Sequence, residues 1–273
     1  VESRVLVGRE RELAAFDASV SRTCTGERVV LLLTGEPGIG KTRLLEELAA
    51  RAIASGLVVA WGRTLEVGLT PAFWPWLQIL GAVAGDELPP SLGGEDGGAV
   101  DAGTRLARFA AVVAFLVRRS RDAPLLLVFD DLHAADPSSL ELLEYALPSL
   151  VGRRVLVALA ARDSDASPDA AKALGRIQRT ALRLQLGRLG RGDVATLVGE
   201  RADGERVYEV SEGNPLFVEE LVASVRGGGE LELPPLSSVR GVIRERVARL
   251  PDATRAVLVA AAGVGRDFRG QVV

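Results

Sequence analysis

The chain contains no methionine, one cysteine, one histidine, and only two lysines among its 33 basic residues. With Cys24 alone, no intrachain disulfide can form, which suits a reducing compartment. No histidine lies near Cys24 in sequence, so the thiol reads as a bystander. His133 alone excludes a multi-histidine metal site. No apolar run approaches the ~18 residues that a membrane span needs. The start, VESRVLVGRERE, lacks the apolar core of a signal peptide. The expectation is a soluble cytoplasmic protein with no membrane partner. The lack of methionine, position 1 included, points to a processed start, a non-ATG start or a trimmed chain. Charge of either sign also lacks a large excess, with 33 basic against 36 acidic residues and a formal net charge of -3. That balance excludes a dominant nucleic-acid surface, although it leaves room for a small basic patch.

What is present is a chain of 273 residues, 48% of them hydrophobic. It is long enough for one large domain, or for a core with a smaller appendage. Heavy use of arginine, alanine and glycine indicates GC-rich coding, and against it the lysine at 41 stands out.

Apolar spacing predicts a helix over 9–22, a buried strand over 29–33, a helix over 41–54 and a second strand over 57–61. A helix from 73 to about 83 follows, within PAFWPWLQIL, and all three tryptophans lie at 61, 74 and 76. Residues 84–103 are dense in glycine, proline and acids and read as a surface insertion. A helix over 105–119 precedes a third strand, 125–129, and Asp136-Pro137 caps a helix running to about 147. Strands over 155–160 and 182–186 complete the pattern. Strands alternating with helices imply an α/β fold, a parallel sheet covered on both faces. After about 187 come helices alone, at 191–202, 204–212 and 215–226. GGGELELPP reads as a linker, and two more helices are expected near 237–249 and 252–262. This gives three parts: a core over 1–187, a helical lid over 188–228, and a linker with the start of a further domain over 229–273.

The string GEPGIGKT, residues 35–42, sits between a predicted strand and a predicted helix, which is the P-loop context. Its glycines, Gly35, Gly38 and Gly40, let successive amides turn inward toward an anion, and the helix N-terminus adds its positive end. Glu36, Pro37, Ile39 and Arg43 complete the loop and its helix start. Lys41 is placed to reach the β- and γ-phosphates and Thr42 to coordinate Mg²⁺. An ordinary glycine-rich turn is the structural alternative. The strand LLLVFDD then ends apolar residues in acid, the Walker B pattern. Asp130 would hold Mg²⁺ through its waters and Asp131 would orient the attacking water; two acids capping a strand is the plainer reading. Arg162 closes the fourth strand, VLVALAAR, either as a γ-phosphate sensor or as a surface arginine. His133 reads as a loop-packing residue more than as a base.

In order along the chain stand LVGRERELAAF, LLTGEPGIGKTRLLEELA, PAFWPWLQIL, LLLVFDDLHAADPSSLELLEYA and EGNPLFVEEL. Together they resemble the AAA-type ATPase module of STAND signal-transduction proteins, as found in large ATP-binding LuxR-type transcriptional regulators. The resemblance covers residues 4 to 265. It implies a P-loop NTPase sheet, an all-α lid and the start of a winged helix. It implies that Val7, Gly8 and Arg9 lie beside adenine and ribose, and that Pro215 closes over the base. It implies ATP or ADP with Mg²⁺, slow hydrolysis, an inducer or regulatory protein, and nucleotide-dependent self-association. DNA binding would belong to a domain absent from this chain, which would then be part of a longer regulator. On residues alone, VGRE could be a helix start with a charged face and GNP merely another helix start. Ala134 departs from the pattern, where the family usually carries tryptophan. The tryptophan-rich helix reads as core or lid packing. Two other functions stay open: a P-loop kinase, and a nucleotide-binding scaffold without turnover.

Overall fold

The structure is a computed structural model that describes residues 6–64, 71–85, 89–92, 102–162, 167–225 and 254–255. These form two compact units, one ending at Gly187 and one beginning at Arg188.

In the first unit the order is α1 (Glu10–Cys24), β1 (Val29–Thr34), α2 (Lys41–Ala54), β2 (Val58–Arg63), α3 (Trp74–Ala84) and α4 (Ala102–Asp122). Then come β3 (Leu125–Asp130), α5 (Pro137–Ser149), β4 (Val155–Ala161), α6 (Pro168–Ile177) and β5 (Leu182–Gln185). The strands form one sheet in the order β2-β3-β4-β1-β5, and every pairing is parallel. β1, β3 and β4 are buried at every position. That is why their sequences are continuous apolar runs rather than alternations. Alternate residues still divide between the faces, as the pleat requires. Val30, Leu32, Leu127, Phe129, Val157 and Leu159 join the core beneath α3–α6, while Leu31, Leu33, Leu126, Val128, Leu156 and Ala158 join the core beneath α1 and α2.

Trp76, 1% exposed, packs edge-on against Phe129 with ring centroids 5.0 Å apart and donates its indole N–H to Ser139 O at 3.0 Å. The helix around it is a packing element, as its sequence implies. Asp136 accepts from the Ser139 amide at 2.9 Å as the cap of α5 and from the Phe73 amide at 3.2 Å, tying the start of α3 to that of α5.

The second unit contains α7 (Arg191–Val198), a 3-10 turn over Gly199–Arg201, α8 (Gly204–Ser211) and α9 (Pro215–Val225). Leu189, Val194, Val198, Val207, Val210, Val218, Leu221 and Val222 form its own small core.

Three details differ from the sequence expectation. The helix expected over 191–202 breaks at Gly199, whose φ of 57° is outside helical space. α6 lies where the sequence reading places no element; Ser167 caps it by accepting from the Ala170 amide, with Pro168 at its first turn. α4 is longer than expected, spanning 21 residues. The linker GGGELELPP, the helices expected at 237–249 and 252–262 and the start of a winged helix lie outside the described residues, apart from 254 and 255.

Candidate nucleotide site

The loop after β1 is built for close approach by an anion. Gly35 has φ 149° and Gly40 has φ 97°, backbone states that side chains rarely tolerate. A Cβ on Gly35 would also stand 2.9 Å from the Leu186 carbonyl oxygen, so the loop passes against the end of β5 too tightly for alanine. Gly40 occupies the cap of α2 in the left-handed conformation and makes no side-chain cap bond. The opening amides of α2 therefore receive no cap from that position, as an anion site at a helix start requires. Ile39, 1% exposed, anchors the loop in the core, while Glu36 and Pro37 are exposed. Lys41 is 8% exposed, and its Nζ donates to Gly35 O at 2.9 Å and Glu36 O at 3.0 Å. The ammonium is thus held at the loop itself.

Two motifs 88 residues apart meet beside it. Thr42 Oγ1 donates to Asp130 Oδ2 at 2.9 Å. A hydroxyl that gives its proton to a carboxylate keeps its lone pairs for a cation. Hydroxyl and carboxylate oxygens are the hard donors that Mg²⁺ prefers, supplemented by phosphates and waters. Among the described residues no group of three or more His, Cys, Asp or Glu could hold a metal by itself. The donor set fits a cation that arrives with a phosphate. Asp130 is 4% exposed, and burial pushes its carboxyl above the usual range, while the Thr42 hydroxyl and the Asp131 amide pull it back.

Asp131 follows in the left-handed region, φ 55°, uncommon for a residue with a side chain. Its amide donates to Asp130 Oδ1 at 3.1 Å, and its carbonyl accepts from the Ala134 amide at 2.9 Å. Thr64 Oγ1 also donates to that carbonyl, at 2.7 Å, and lies 3.4 Å from the Asp130 carbonyl. Thr64 sits one residue past β2, where Arg63 is paired in register with Asp130. Sequence reading missed it, because nothing in RTLE marks a positioning hydroxyl; only the strand register does. His133 is 4% exposed, with Nδ1 3.9 Å from Asp131 Oδ1. Ala134 lies in the 3-10 turn Leu132–Ala134.

Arg162 directly follows β4, the strand between β1 and β3, so it stands between the glycine loop and the acid pair along the sheet edge. Arg9 is buried, 6% exposed, with Nη2 donating to Ile39 O at 3.1 Å and to Gly187 O at 2.9 Å. Its guanidinium thereby ties the loop to Gly187, a contact the sequence did not announce. Val7 and Gly8 lead directly into it and are half-buried. Arg43 Nη1 lies 4.0 Å from Glu46 on α2. Within the second unit Pro215 opens α9, Asn214 Oδ1 accepts from the Leu216 amide at 3.1 Å, and Gly213 N is 3.2 Å from Ser211 Oγ. GNP is therefore a capped helix start.

A parallel sheet with this loop between its first strand and helix, and an acid-terminated strand beside it, defines a P-loop NTPase. Residues 5–159 match the family model described as AAA ATPase domain. The match spans more than half of the chain, and the chain belongs to that family. Solved structures share the fold at low identity. One is a signal transduction ATPase with numerous domains (STAND) carrying a tetratricopeptide repeat sensor, from Pyrococcus horikoshii, at 17% identity and TM-score 0.52 over 94% of this chain. This chain spans about a third of that protein, 34% of its length. Another is the Aeropyrum pernix ORC2 protein in ADPNP-ADP complexes, at 16% identity and TM-score 0.57, covering 96% of this chain and 76% of that one. The Aeropyrum pernix ORC1 protein in complex with DNA matches at 16% identity and TM-score 0.51, over 94% of this chain and 72% of that one. Among curated proteins nothing matches. No helix among the described residues is long and apolar enough to cross a membrane.

Proposed function

We propose that this AAA ATPase module binds ATP and ADP with Mg²⁺, hydrolyses ATP slowly, and serves as a nucleotide-controlled conformational switch. The observation that carries the reading is the 2.9 Å bond between Thr42 and Asp130, which joins the P-loop to the acid-ended strand. In this reading the loop amides and Lys41 bind the phosphates. Thr42 and Asp130 hold Mg²⁺, whose chemistry is to neutralise charge on the phosphate oxygens. Asp131 orients water for attack, and Arg162 contacts the γ-phosphate, so that ATP and ADP are told apart at the sheet edge. Val7, Gly8 and Arg9 lie beside adenine and ribose, and Pro215 contacts the base. The Nη2 bonds of Arg9 to Ile39 O and Gly187 O hold it against the loop. An unidentified inducer or regulatory protein biases the nucleotide state, and ATP favours self-association. We assign the module to a LuxR-type transcriptional regulator working in the cytoplasm, with DNA recognition belonging to another part of that regulator. The fold shared with a STAND protein supports the switch reading.

Titration with a fluorescent ADP analogue, paired with phosphate release from MgATP, tests it. Lys41→Ala should weaken binding about 100-fold, since a charged hydrogen-bond set of roughly 3 kcal/mol is lost. Asp131→Asn should leave binding in place and slow release by about 10²-fold or more. Undiminished affinity in the Lys41 variant refutes the loop assignment. Binding with no turnover in the wild type leaves a scaffold, and phosphate transfer to an added acceptor makes it a kinase.

A further inference from the structure

The Arg9 guanidinium is not at the surface, although the residue caps a helix. One nitrogen, Nη2, donates to Ile39 O at 3.1 Å and Gly187 O at 2.9 Å, carbonyls 30 and 178 residues away. Two hydrogens on that nitrogen allow both bonds. Glu12 Oε1, 4.0 Å from Nη1, adds an anion on the other side of the group.

The two carbonyls belong to segments of different kinds. Ile39 lies in the glycine loop, and with no cis peptide among the described residues the Ile39–Gly40 peptide is trans. In a trans peptide the N–H points opposite to the C=O. Arg9 on the Ile39 carbonyl therefore turns the Gly40 amide away from itself, at the residue that opens α2. Gly187 is the last residue of the first unit. The chain just before it leans on the same loop. The Leu186 amide donates to Thr34 O at 2.8 Å, and its carbonyl is the one that would meet a Cβ on Gly35 at 2.9 Å. Leu186 is thus bonded to the last residue of β1 and lies close against the first glycine of the loop, and Arg9 adds a side-chain bridge between loop and exit segment.

We infer that Arg9 is a positioning residue that couples nucleotide in the glycine loop to segment 186–188, where the chain passes into the second unit. The inference rests on the phosphate-loop reading given above. An anion at the Gly40 amide polarises that peptide and strengthens the bond its carbonyl accepts from Arg9. The guanidinium is rigid and planar, so a shift of the Ile39 carbonyl either carries the Gly187 carbonyl along or breaks its bond. Lysine keeps the charge but lacks the rigid fork.

The test is hydrogen exchange on the 273-residue chain, read in peptides spanning 35–44 and 184–192, with and without saturating MgADP. Wild type, Arg9→Lys and Arg9→Ala are compared, and a fluorescent ADP analogue reports binding. In the wild type, nucleotide should slow exchange in both peptides. Arg9→Lys should bind about tenfold more weakly, the loss of one charge-assisted bond. At saturation it should protect 35–44 while leaving 184–192 unchanged; Arg9→Ala should behave the same way with weaker binding. If either variant raises exchange at 184–192 by one common factor with and without nucleotide, Arg9 is only a clamp and the inference falls. Wild-type binding without any change at 184–192 removes the inference alone. A wild type that binds no analogue removes the phosphate-loop reading and this inference with it.

Discussion

Asp130 accepts hydrogen bonds from Thr42 and from the Asp131 amide, yet burial still lifts its carboxyl above the usual value of 3.8. The folded state therefore holds the proton more tightly than the unfolded state does. Between 3.8 and the raised folded value, stability falls as pH rises, and above that window the penalty stays constant. An amide at this position should relieve it. Asn can accept from the Asp131 amide with its oxygen and donate to Thr42 with its nitrogen. Asp130→Asn should accordingly melt at a higher temperature than wild type at neutral pH without Mg²⁺, and lose that part of the pH dependence. It should also lose Mg²⁺-dependent tightening of ATP binding. Calorimetry across pH 4–8 with parallel titrations checks both, and a variant less stable than wild type would show that ionised Asp130 is not a net cost. Thr64 makes a second residue-scale case. Thr64→Val keeps the shape and removes the hydroxyl that holds the Asp131 carbonyl at 2.7 Å, beside a backbone in a rarely populated region. Phosphate release should slow several-fold with nucleotide affinity intact, and Thr64→Ser should restore it. Equal rates in Val and Ser variants would remove Thr64 from the machinery.

At the scale of elements, legibility followed the physics of burial. β1, β3 and β4 were readable because a strand covered on both faces is a continuous apolar run, and GEPGIGKT and FDD were readable because each is contiguous. Thr64 was not, and neither were the bonds of Arg9 to Ile39 O and Gly187 O, since these depend on strand register and on carbonyls far away in sequence. α6 was within reach of the sequence: Ala170, Ala173, Leu174 and Ile177 recur at helical spacing behind a Ser167-Pro168 start, but the run is only ten residues long and two of its four buried positions are alanines. The GNP stretch shows an element held by a steric fit. Gly213 has φ 77°, and a Cβ there would lie 2.1 Å from Leu189 O, while the Leu189 amide donates to Gly213 O at 2.8 Å. Gly213→Ala combines overpacking with backbone strain, each costing about 1–3 kcal/mol. The second unit, whose described residues include α7, α8 and α9, should lose most of its cooperative unfolding. Far-UV circular dichroism would report this as early loss of helix, and an unshifted melt would contradict the fit.

At the scale of the whole molecule, the residues of the proposed chemistry lie in the first unit and the proposed response reaches the second. All three tryptophans, Trp61, Trp74 and Trp76, belong to the first unit, so intrinsic indole fluorescence follows that unit alone, whereas circular dichroism follows both. A ligand at 100 times its dissociation constant stabilises the state it binds by about 2.7 kcal/mol. For a unit of this size that is roughly 5–10 °C. MgADP should raise the fluorescence-detected midpoint by that amount if the glycine loop is the site. The circular dichroism trace then distinguishes a binding domain from a switch. A ligand that touches only the first unit leaves the unfolding of α7–α9 where it was, and the two traces separate. A ligand whose base is covered by Pro215 stabilises both units, and the traces rise together. Pro215→Ala, tolerated at a helix start, should then separate them again while the fluorescence midpoint still responds. Traces that separate already in the wild type would leave the ATPase reading standing and end the role of the second unit as a nucleotide-responsive lid.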